Sequence, residues 1–130
     1  MSDLYAQSTH EIQAKRRALA PETLNAFHEF SRRVFASGAL DEQVKQLIAV
    51  AVAHTTQCPY CIRGHTEAAL KAGATDQQIM EAIWVAAEMR AGAAYAHSTI
   101  ALDTLIKTHA ADPVDDGGRL STDGSPSRAS

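Results

Sequence analysis

The stretch Cys58-Pro59-Tyr60-Cys61-Ile62-Arg63-Gly64-His65 decides how this 130-residue chain is read. Proline lacks an N–H and has a fixed φ, which bars it from a helix interior and suits it to the first helical position. Pro59 therefore opens a helix and makes Cys58 its N-cap. On that helix Cys58, Cys61 and His65 follow one another at spacings of three and four, so their side chains share one face. Cys58 meets unpaired N–H groups and the positive end of the helix dipole, both of which stabilise a thiolate. His65, one turn beyond Cys61, is in reach to take or return a proton. Two thiols at this spacing also close into a disulfide with little backbone movement. The set holds a nucleophile, a resolving thiol and an acid–base group.

Helical punctuation continues on both sides. Pro21 with Glu22 opens a segment with apolar Leu24, Phe27, Val34 and Phe35, which Gly38 ends. Asp41 caps a helix over 41–53, where Val44, Leu47, Ile48, Ala51 and Val52 keep a helical rhythm and Val50 flanks it, so burial on most sides is expected. The thiol helix runs to Gly73, a suitable C-terminal residue. Thr75 with Gln78 three residues on forms a capping box for a fourth helix, from Asp76 to about Arg90. Ala91-Gly92 marks a break or a close contact, and a fifth helix follows that ends near His109. No strand alternation or internal repeat is visible. The fold class is all-α.

Composition narrows the function classes. Alanine supplies 25 residues and aromatics only 5%, which favours closely packed helices over a bulky core. A net charge of −3 gives no basic field for nucleic acid or anionic lipid. The longest apolar run, residues 47–53, falls far short of the ~20 residues a membrane span needs. Residues 1–10 are polar, without an apolar signal-peptide core, so the expected location is the cytoplasm. There a close cysteine pair means thiol chemistry or metal binding rather than a structural bridge. Three weaker readings of the pair stay open. Zinc would use Cys58, Cys61 and His65 with His54 or His97, the whole serving as a non-catalytic redox-sensing or zinc-holding oligomer. The two cysteines are inert in the second. In the third they are idle in an enzyme for carboxylate substrates, with Arg63 and Arg90 as the cationic donors. From Asp112 the chain turns to Pro, Gly, Asp and Ser, a composition that cannot offset its ordering entropy, so the tail 111–130 is expected to be disordered.

The stretch Val44-Lys45-Gln46-Leu47-Ile48-Ala49-Val50-Ala51-Val52-Ala53, followed by Cys58-x-x-Cys61-x-x-x-His65 and by Ala69-x-Lys71-Ala72-Gly73-Ala74-Thr75, resembles the carboxymuconolactone decarboxylase superfamily. Within it the match is to the alkylhydroperoxidase D-like branch, over residues 40–105. The resemblance implies one helical bundle of five to six helices over 21–110, after an N-terminal extension 1–20, assembled into trimers or hexamers. It implies antioxidant reduction of hydroperoxides through a disulfide cycle, with no metal or organic cofactor and with a lipoyl-type or thioredoxin-like dithiol as reductant. Carried over by position, Cys61 is the peroxide-attacking cysteine, Cys58 the resolving one and His65 the relay base. The dipole at the helix start instead favours Cys58 as the lower-pKa thiol. Where the family pattern has a glutamate, twelve residues before the first cysteine, this chain has Gln46.

Geometry gives that departure weight. If the helix over 41–53 folds back through 54–57 onto the thiol helix, residues equidistant from the turn lie at one height, as Gln46 and His65 do. An amide can hydrogen-bond an imidazole there but cannot relay a proton. Glu42 lies one turn earlier on the same face, ~6 Å along the axis, as a carboxylate that could serve through a water. His54, at the turn, is a weaker substitute.

Overall fold

Each helix starts where local backbone chemistry starts it. The Asp41 carboxylate accepts from Val44 N–H at 2.8 Å, and Pro21 and Pro59 occupy first turns. Thr75 and Gln78 cap each other, with Gln78 N–H donating to Thr75 Oγ1 at 3.1 Å and Thr75 N–H to Gln78 Oε1 at 2.9 Å. The computed structural model describes residues 4–111 and Gly117. Its helices are α1 (His10–Leu19), α2 (Pro21–Phe35), α3 (Glu42–Thr56), α4 (Pro59–Lys71) and α5 (Asp76–Ala111). Among the described residues there is no strand, and the fold is all-α. None of these helices is long and apolar enough to cross a membrane. The expected disordered tail lies outside the described residues except for Ala111 and Gly117.

Residues 1–88 form one unit and 89–130 a second. In the first, α3 and α4 fold back on each other around Gln57 and Cys58. The turn is tight because Gln57 adopts the left-handed conformation, φ 59°. The buried core is small: Val50, Ala69, Ala74 and Ile79, with Leu47 and Ile83 packed against it. Alanines at these positions let the backbones approach closely, as the composition implied.

Three sequence expectations change. The α3 helix continues through Thr56 rather than stopping at 53. Nothing in 54–56 breaks a helix, and the Thr55 hydroxyl donates back to the Val52 carbonyl at 2.7 Å. Nor is α3 buried on most sides: Gln46, Val50 and Ala53 face the core, while Val44, Ile48 and Val52 remain 38 to 51% exposed. Finally, α5 is one helix of 36 residues with no break at Ala91-Gly92. One glycine among alanines costs a helix only about 1 kcal/mol, too little to interrupt it. A further helix, α1, falls in the stretch read as an extension, capped by Thr9 Oγ1 on Ile12 N–H.

In the second unit, the helical residues from Met89 to Ala111 carry an Asp103–Lys107 ion pair at 2.8 Å and leave Tyr95, Ile100, Leu102, Leu105 and Ile106 exposed.

Gly73 ends α4 at φ +90°, with Ala74 N–H on the Ala69 carbonyl and Gly73 N–H on that of Leu70. Gly64 is interior to α4, and a Cβ there meets nothing within 4 Å. Denaturant unfolding should therefore show Gly73→Ala to be destabilised by about 1 kcal/mol and Gly64→Ala stabilised by a similar amount.

Candidate active site

Cys58 caps α4 through its sulfur, which accepts from Cys61 N–H at 3.3 Å. One turn on, the Cys61 sulfur lies 2.9 Å from that of Cys58. Both are free thiols and half-buried. A disulfide would need only about 1 Å of further closure. The pair titrates as a unit. Cys58 is held below the ordinary thiol range, first by the Cys61 thiol donating to it and then by Cys61 N–H, burial opposing, with Tyr60 N–H adding a little. Cys61 is pushed up by the same hydrogen bond, by burial and by the Cys58 charge. The hydrogen bond from Cys61, with the N-cap position, thus makes Cys58 the more acidic of the two thiols.

His65 sits two turns into α4, against both α2 and α3. Its Nδ1 is 2.8 Å from Gln46 Oε1. An amide oxygen only accepts, so Nδ1 carries the proton and donates, leaving Nε2 as the basic nitrogen. Gln46 is buried, 6% exposed, and an amide so placed needs its partner. Phe35 of α2 covers the imidazole, ring centroids 5.1 Å apart and tilted by 30°.

These groups border a cavity of about 520 Å³ lined by Cys61 and His65 and otherwise mostly by apolar side chains of α2 and α3, notably Val34, Phe35, Ile48 and Val52. Lys45 is its one cationic neighbour, and its ammonium donates to the Val34 and Ala36 carbonyls at 2.8 and 2.6 Å, tying the end of α2 to α3. The apolar wall was missed from sequence because Val34, Phe35 and Ile48 read as ordinary core positions. Only the half-exposure of Ile48 and Val52 marks them as pocket.

The structure pairs Cys58 with Cys61 and His65 with Gln46, and Cys61 and His65 line one cavity. Glu42 it leaves exposed in the first turn of α3, its N–H on Ser37 Oγ and its side chain outside the cavity lining. His54 turns its Nδ1 to the Val50 carbonyl at 2.7 Å. Arg63 reaches the Gln7 side chain at 3.2 Å and is not part of the cavity either. Among the described residues, no three or more His, Cys, Asp or Glu side chains are grouped to hold a metal ion.

Iodoacetamide alkylation followed by peptide mass spectrometry should label Cys58 first at neutral pH, its rate rising at lower pH than for an ordinary thiol. Cys61→Ala, which removes the leading donor to Cys58, should move that rise to higher pH.

Comparison with known proteins places these observations in context. The carboxymuconolactone decarboxylase family model matches residues 21–104. A protein of Paracoccus denitrificans described as uncharacterized protein 4 in cox locus is 68% identical over 81 residues, 62% of this chain and 73% of its own length. The apo crystal structure of a carboxymuconolactone decarboxylase family protein from Legionella pneumophila is similar at 36% identity and TM-score 0.57, over 59% of this chain and 69% of that one. A crystal structure from Methanobacterium thermoautotrophicum matches at 39% identity and TM-score 0.59, covering 63% of this chain and 94% of the other.

Proposed function

We propose, from the premise that this chain belongs to the carboxymuconolactone decarboxylase family, that it reduces organic hydroperoxides by cycling Cys58 and Cys61 between dithiol and disulfide. One observation carries the reading. Two free thiols 2.9 Å apart stand at the edge of an apolar cavity that Cys61 and a tautomer-fixed His65 both line.

In the cycle, Cys61 gives its proton to His65 Nε2 or to the Cys58 thiolate and attacks the outer peroxide oxygen. The O–O bond breaks, the alcohol leaves with a proton, and Cys61 becomes a sulfenic acid. The Cys58 thiolate then attacks the Cys61 sulfur. An S–S bond forms, the S–O bond breaks and the hydroxide leaves as water with a proton taken from solvent. An external dithiol, lipoyl-type or thioredoxin-like, returns two electrons and two protons. The lowered Cys58 thiol suits resolution, which needs a thiolate. The position of Cys61 in the cavity suits attack on the peroxide.

Gln46 limits the cycle. It orients His65 but cannot accept the Nδ1 proton as a carboxylate would. Turnover of cumene hydroperoxide with a dithiol should fall at least about a hundredfold in Cys61→Ser. In Gln46→Glu it should rise about tenfold, because a carboxylate stabilises the imidazolium that forms when His65 takes a proton.

A carboxylate substrate fits the cavity less well, since Arg63 is engaged with Gln7 and the Lys45 ammonium with two carbonyls. The proposal includes self-association as a trimer or hexamer. Phe27, Phe30 and Trp84 are each more than 60% exposed, an apolar display that monomers rarely sustain. Sedimentation equilibrium should return a mass of three or six chains.

A further inference from the structure

The α4 helix carries a second stripe that thiol chemistry leaves unused. Tyr60, Arg63, Gly64 and Glu67 recur at helical spacing and border a separate cavity of about 390 Å³ whose other wall is the N-terminal segment 4–8. The segment is held by specific contacts. The Tyr60 hydroxyl donates to the Ala6 carbonyl at 2.8 Å, and Arg63 donates to Gln7 Oε1 at 3.2 Å. The Tyr5 ring meets Tyr60 edge-on, centroids 6.0 Å apart and planes at 85°. These contacts join residues more than fifty positions apart in sequence, so they are no by-product of local helix formation. None of the stripe lines the apolar cavity that holds Cys61 and His65.

We propose that residues 4–8 are a strap that restricts access of protein-sized dithiols to the Cys58–Cys61 disulfide while leaving small peroxides and small thiols free to react. The proposal rests on the disulfide cycle above. Reduction requires a partner thiolate to attack Cys58, the sulfur at the helix end, in line with the S–S bond. A new S–S bond forms to the partner, the Cys58–Cys61 bond breaks, and Cys61 leaves as a thiolate that takes up a proton. The partner's second thiolate then attacks its own sulfur in the mixed disulfide, releasing Cys58 and carrying away the oxidation as the partner's disulfide. A protein partner making that approach must bring its backbone against Pro59 and Tyr60, which border the cavity walled by the strap. Hydroperoxide enters through the separate α2–α3 cavity. The strap's polar contacts are exposed, and such bonds net little against water, so a suitable partner displaces it.

The test starts from full-length protein oxidised with diamide, so that it is read independently of peroxide turnover. Rates of disulfide reduction by a purified thioredoxin and by dithiothreitol are compared for wild type, for Tyr5→Ala with Gln7→Ala, and for Tyr60→Phe. The strap predicts that both variants are reduced about fivefold faster by thioredoxin, with the dithiothreitol rate changed less than about twofold. An unchanged thioredoxin rate, an equal rise with both reductants, or a disulfide that thioredoxin leaves intact in every protein overturns it. Loss of hydroperoxide turnover with the thioredoxin selectivity preserved would instead count against the peroxidase reading alone.

Discussion

The hydrogen bond from His65 to Gln46 joins two helices that otherwise meet largely through small apolar residues. Around it stand Val50, Ala53 and Ala69, side chains that let α3 and α4 approach but offer little to fix one register over another. A buried amide held by an imidazole does fix it, because sliding the helices would strand the Gln46 amide away from water, at about 1–3 kcal/mol. The same bond decides which ring nitrogen is basic. Register, which the Gln43 amide also supports by donating to the Ala72 carbonyl at 3.1 Å, and proton chemistry thus meet in one contact of 2.8 Å.

The reversal between the two helices sets where the thiols lie. Gln57 takes a left-handed conformation, reverses the chain in the space of two residues, and hands over to Cys58 as N-cap with Pro59 behind it. The turn sets Cys58 over the helix N-terminus and its partner sulfur one turn further in. Asymmetry follows from backbone position: one thiol is drawn toward ionisation while the other is held protonated against it. Apart from the two sulfurs themselves, no charged side chain contributes.

Much of this was legible in the sequence because its causes are local. Asp41, Cys58-Pro59 and Thr75 with Gln78 each act within one helical turn, and the pairing of Gln46 with His65 follows from counting outward from the reversal. What was not legible depends on contacts distant in the chain. Which face of α3 turns inward is set by α4 and by α5 around Ile79, and Ile48 and Val52 marked the cavity side instead. Gly92 looked like a break, although its cost in a helix is small. The binding of residues 5–7 onto Tyr60 and Arg63 left no local signature, since a tyrosine and an arginine on a helix surface read equally well as solvated.

The central claim is that peroxide entering the apolar cavity meets Cys61. Trapping with dimedone tests it most directly: Cys58→Ser protein, unable to resolve, is given one equivalent of cumene hydroperoxide and the reagent, and its peptides are mapped by mass spectrometry. The account predicts a dimedone adduct on Cys61 and none on the same protein without peroxide. Peroxide consumed with Cys61 unmodified, or Cys61 left as a free thiol beside intact peroxide, would contradict it.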